Sequence, residues 1–71
     1  MQFDYSRLLG RIREFGYTQS SLADEIGLTK ATMNLKLNNK AFFTQPEIEK
    51  IRKILHIHSV EIGAYFFALR V

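Results

Sequence analysis

The link Gly27-Leu28-Thr29 constrains this chain more than any other stretch. Apolar residues at helical spacing flank it, with Leu22, Ala23 and Ile26 before it and Met33 and Leu37 after it. So short a link forces two helices to cross steeply and to touch near the corner. Close contact needs a small residue where the axes meet, and Ala23 is placed for it. The turn needs a positive φ, which Gly27 adopts without a Cβ clash. Leu22, Ile26, Leu28 and Met33 are apolar at the points that bury between the pair. The combination predicts a helix-turn-helix over about residues 18–38, against the blander alternative of a helical hairpin in a small bundle.

The rest of the chain is helical by the same reading, since apolar residues recur at steps of three and four and strand-type alternation is nearly absent. Asp4 can cap a first helix over about 5–15, with Tyr5, Leu8, Leu9, Ile12 and Phe15 on its inner stripe. Gly16 suits the left-handed residue that closes it. Thr18 caps a second helix, Gln19 to Ile26, and Thr29 a third, Lys30 to about Leu37. Asn38-Asn39 ends the third, because Asn tolerates αL geometry. After the loop 40–43, Thr44-Gln45-Pro46-Glu47 is a capping-box pattern with Pro in the first turn. It opens a fourth helix to about Leu55, with Ile48, Ile51, Ile54 and Leu55 inward. Ser59 can cap a short fifth helix to about Phe67. The predicted fold is all-α, a compact five-helix domain spanning 1–71.

Composition narrows the function classes. A chain of 71 residues leaves no room for a two-domain enzyme with a deep cleft. It contains no cysteine, which excludes a disulfide framework and a thiolate metal site and fits a reducing compartment. His56 and His58 flank Ile57 without a carboxylate cluster to complete a metal site, so they read as loop histidines at a helix end. No Ser-His-Asp set or phosphate-binding glycine loop is present, no cofactor is expected, and the enzyme reading is set aside. No apolar run approaches the roughly 18 residues of a membrane span, and the start lacks the pattern of a signal peptide. Expected partners therefore exclude the membrane, and the expected location is the cytoplasm. Net charge is +3, which permits nucleic acid without demanding it.

Here the residues carry a resemblance. The run TQSSLADEIGLTKATMNLKLNNK resembles the helix-turn-helix of the XRE, or lambda-repressor-like, family through Gln19, Leu22-Ala23, Ile26-Gly27-Leu28-Thr29 and Asn38. Its surroundings look like the small Cro-like regulators of temperate phages of Gram-positive bacteria. The resemblance implies a transcriptional regulator of a lysis–lysogeny switch, binding double-stranded operator DNA through a recognition helix at 29–37, as a homodimer on a near-palindromic site. On DNA, the N-terminal part of that helix would present Thr29, Lys30, Ala31, Thr32 and Asn34 to base edges. By the same resemblance, Gln19 would contact backbone and buttress the reading helix, and Asn38, Asn39 and Lys40 would meet phosphates. Charge agrees: Lys30, Lys36 and Lys40 lie between Ile26 and Pro46 with no acid among them.

One departure favours a second class of function. Where the family places a large apolar residue, this chain has Lys36, and Leu35 falls near the face that usually meets DNA. An exposed leucine reads no hydrogen-bond pattern and prefers a protein surface or a thymine methyl. Some proteins of the resembled group are antirepressors, or modulators, that bind a CI-type repressor and alter its DNA occupancy. That reading makes Leu35, with Phe66, Phe67 and Leu69 of the apolar tail, the candidate protein-interaction residues. The tail itself can pack on the core or form a subunit interface. Gly63, odd inside a helix, suggests close packing.

Overall fold

A computed structural model describes residues 2–71. Its elements are α1 (Ser6–Glu14), α2 (Gln19–Ile26), α3 (Lys30–Leu37), α4 (Gln45–Ile54), a 3₁₀ turn (Ser59–Glu61) and α5 (Ile62–Phe66). The all-helical expectation holds. Among the described residues the one departure is an isolated antiparallel bridge between Phe3 and Leu69.

Helix starts follow the expected caps at three threonines. Thr18 and Thr44 each accept from a first-turn amide inside a capping box, completed by Ser21 and Glu47, and Thr29 accepts from the Thr32 amide. Asp4 stands one residue further out than a cap. The residue at the cap position of α1 is Tyr5, while the Asp4 carboxylate accepts from the Ser6 amide at 2.9 Å. Its pKa lies below the usual value, chiefly because of that backbone hydrogen bond. Ser59 makes no side-chain cap. It opens the 3₁₀ turn, so the predicted fifth helix divides in two.

Helix ends share one device. The αL positions are Gly16, Gly27, Asn39 and His56. After each of them, the next amide reaches back five residues: Tyr17 to Ile12, Leu28 to Ala23, Lys40 to Leu35 and Ile57 to Arg52, at 2.8–3.0 Å. This Schellman pattern satisfies carbonyls that each helix would otherwise leave open. Glycine or asparagine announced it at the first three ends. His56 did not, since a histidine in αL is uncommon. Arg11 reinforces that end: its guanidinium donates to the Leu55 and His56 carbonyls at 3.0 and 3.1 Å. It also lies 4.5 Å above the Phe15 ring, which stacks on His56. Phe15 is therefore a surface prop and not the core residue its spacing suggested.

The core joins Tyr5, Leu8 and Ile12 of the first segment to Leu22, Ala23 and Ile26, to Met33 and Leu37, and to Ile48, Ile51, Leu55, Ile57 and Phe66. Ala23 is fully buried where α2 packs on α3, as the short link requires. Burial holds the Tyr5 hydroxyl above its ordinary pKa. Phe66, expected on a partner surface, is 1% exposed, so that expectation is corrected. The short α5 turns Phe66 inward against Phe43, ring centroids 5.7 Å apart, and turns Phe67 outward. Close packing does not explain Gly63, because a Cβ there would meet nothing within 4 Å.

Candidate recognition surface

α3 turns Met33, Lys36 and Leu37 inward and leaves Lys30, Ala31, Asn34, Leu35 and Asn38 outward. Those five positions follow the helical repeat and form one continuous stripe. Leu35 sits on it at 48% exposure. Lys40 is exposed just beyond the stripe, and Gln19 is half-buried at the start of α2.

Hydrogen bonds already occupy several of the predicted DNA contacts. The Thr29 hydroxyl donates to the Thr32 hydroxyl at 2.9 Å while accepting the Thr32 amide. Both threonines are thus partly committed to starting the helix. Asn38 donates its side-chain amide to the Asn34 carbonyl and to Asn34 Oδ1, at 2.9 and 3.0 Å. Asn39, expected at a phosphate, spends both ends of its amide on the Phe3 backbone. Oδ1 accepts from the Phe3 N–H at 2.7 Å and Nδ2 donates to the Phe3 carbonyl at 3.0 Å. Lys30 and Ala31 keep exposed side chains without such ties among the described residues.

Lys36 is the largest departure from the sequence reading. It does not extend a basic face. Its residue is 7% exposed, and its ammonium pairs with the Glu47 carboxylate. The ammonium also lies 6.0 Å from the Phe43 ring centroid. Glu47 Oε1 simultaneously accepts from the Thr44 amide at 2.9 Å, so one oxygen both caps α4 and neutralises the lysine of α3. Burial pushes the Glu47 carboxyl up, but the bonds from Lys36 and Thr44 together outweigh it and hold the group below its usual value. The position at which the resembled helix-turn-helix family has an apolar side chain is thus still an inward position here. Its charge is cancelled there, and the basic window shrinks to Lys30 and Lys40.

A second apolar surface lies around the termini. Phe42 and Phe67 are 76% and 53% exposed, and the Phe3 ring contacts both, with centroids 6.3 and 5.8 Å away. The Leu69 side chain is exposed, although its segment pairs by backbone with Phe3. The tail therefore docks through its main chain and keeps apolar side chains outside. No signal in the sequence distinguished this from burial of the whole tail. Nor did the sequence reading give Phe3 or Glu47 a part in the surface.

Fold and surface together define a small all-helical protein with one neutral-to-basic helix face and one aromatic face. Residues 1–69 match the family described as "Protein of unknown function (DUF739)", and the chain belongs to that family. Among solved structures, it is similar to the modulator of repression (MOR) of the temperate bacteriophage TP901-1 from Lactococcus lactis, determined in solution. The two share 42% sequence identity and a TM-score of 0.80, over 94% of this chain and 90% of that one. None of the curated proteins compared with the chain matches it. Among the described residues, no helix is long and apolar enough to cross a membrane.

Proposed function

We propose that this chain modulates repression in a temperate phage by binding a repressor protein of the CI type and altering its occupancy of operator DNA. The observation that carries this is the 42% identity, nearly end to end, with a phage modulator of repression. Charge placement supports it. DNA affinity rests on lysines and arginines that neutralise phosphates, and on α3 the buried pair with Glu47 removes Lys36 from that role. The exposed Leu35 gives the same face an apolar centre suited to a protein partner.

Direct operator reading is the second possibility, favoured by one observation. Lys30 and Ala31 are exposed on the first turn of α3, the part that a helix-turn-helix lays against base edges, and Asn34 is exposed one turn further on. Footprinting on operator DNA separates the two, using the purified chain, a CI-type repressor and their mixture at low and physiological salt. The modulator reading expects no specific footprint from the chain alone and a changed repressor footprint on mixing. Leu35→Lys should abolish that change. Specific binding by the chain alone, lost steeply with salt and weakened by Lys30→Ala, would replace this reading with the operator one.

A further inference from the structure

Residues 2–4 are held on both edges. On one edge the Asp4 amide donates to the Ala68 carbonyl at 2.7 Å, and the Arg70 amide donates to the Gln2 carbonyl at 3.0 Å. The Arg70 guanidinium adds a bond to the Gln2 side chain at 3.0 Å. In an antiparallel pair of this kind, the intervening residue turns its own N–H and C=O to the opposite edge, where a third strand would lie. At Phe3 that place is taken by the Asn39 side chain, whose amide accepts from the Phe3 N–H and donates to the Phe3 carbonyl. A side-chain amide thus stands in for a neighbouring strand.

Asn39 is also the αL residue that closes α3, at φ 62°. Its backbone belongs to the exit of α3, and its side chain belongs to the grip on the N-terminal segment. Phe3 in turn lines an apolar space of about 190 Å³, with Phe42 and Phe67 beside it and Tyr5, Phe43, Ile48 and Phe66 completing the wall. Gln2 is exposed, and Phe3 and Asp4 are only half-buried. The Phe3 ring packs on Tyr5, Phe42 and Phe67, and the backbone of the segment is fixed by its polar bonds to Asn39 and to the tail.

We propose that residues 2–4 form a strap over this aromatic space and that Asn39 is its latch, coupling closure of the strap to the conformation of the α3 exit. Displacing the turn at 38–40 then frees the strap and the tail together, and opens the space beneath Phe3. By linkage, a ligand that holds the strap closed also holds the α3 exit in place.

Amide hydrogen exchange on the full chain tests this, with Asn39→Gly and Asn39→Asp as variants. Glycine keeps the αL backbone and removes the latch. Aspartate keeps an acceptor for the Phe3 N–H but sets an oxygen against the Phe3 carbonyl. In Asn39→Gly the Phe3, Asp4 and Arg70 amides should exchange on the order of tenfold faster, as loss of two hydrogen bonds implies, and in Asn39→Asp, which loses one, the Asp4 and Arg70 amides should be accelerated less. In Asn39→Gly the Lys40 amide, which closes α3, and the core amides of Ile12 and Ile51 should keep their protection. Unchanged exchange at Phe3, Asp4 and Arg70 in Asn39→Gly would overturn the latch. Equal acceleration at Ile51 would also overturn it, by making Asn39 a residue of general stability.

Discussion

Replacing Glu47 by glutamine should be among the most damaging conservative changes in this protein. The Lys36 and Glu47 side chains are 9% and 15% exposed, so the pair is nearly removed from water. Taking one partner from a buried pair costs about 3–5 kcal/mol, because the remaining charge stays buried and uncompensated. The residual exposure of both groups places this pair below that range, at roughly 2–3 kcal/mol. Glutamine can still complete the capping box with Thr44, so loss of the cap is not the source. At about 4–8 °C per kcal/mol for a chain of this size, the melting temperature should fall by roughly 10–20 °C. The double variant Lys36→Met with Glu47→Gln is the paired control. Methionine fills the same inward position and glutamine keeps the bond from the Thr44 amide, so no buried charge is left alone. That variant should lie within about 1 kcal/mol of the parent. Urea unfolding followed by circular dichroism measures both. A Glu47→Gln loss under about 0.5 kcal/mol, or an equal loss in the double variant, would refute the buried-pair argument.

The same carboxylate sets an acid dependence. The folded state holds the Glu47 pKa below its usual value, so its contribution is complete above the unfolded carboxylate pKa and is lost as pH falls through the lower, folded one. Stability of the parent should drop over that acidic interval more steeply than stability of Glu47→Gln, as parallel pH titrations of urea unfolding would show. Gly63→Ala should raise stability by about 0.5–1 kcal/mol in thermal unfolding, since the added Cβ meets nothing and helical glycine is entropically costly. Gly27→Ala should lower it by about 1–2 kcal/mol, because φ there is 82° and an L-side chain resists that geometry. Arg11→Met should cost about 1.5–3 kcal/mol in the same assay, through the two α4-end carbonyls it leaves without their charged donor.

Much of the candidate surface was legible in the sequence as positions, and little of it as partners. The stripe Lys30, Ala31, Asn34, Leu35 and Asn38 follows from helical periodicity once Met33 and Leu37 are assigned inward. The use of each side chain does not. Asn38 and Asn39 look alike in the sequence, yet one bonds back to its own helix and the other reaches the N-terminal strap. Lys36 looked like a surface lysine on a basic face because its counter-charge lies on another helix. Phe66 and Phe67 were offered together as interface residues, and the direction of one short helix separated them.

What the sequence determined by itself is local. Thr18, Thr29 and Thr44 start helices, and Gly16, Gly27 and Asn39 end them, through bonds that span only three to five residues. Such chemistry is complete within a short window, and the apolar stripes show which faces must meet. The tertiary structure decided everything that depends on partners far along the chain. Lys36 and Glu47 are 11 residues apart, Phe3 and Asn39 are 36, and Arg11 and Leu55 are 44. A polar side chain carries no mark of which distant group will satisfy it. Packing of the helices brings those groups together, and desolvation then requires that each buried donor and acceptor find its match.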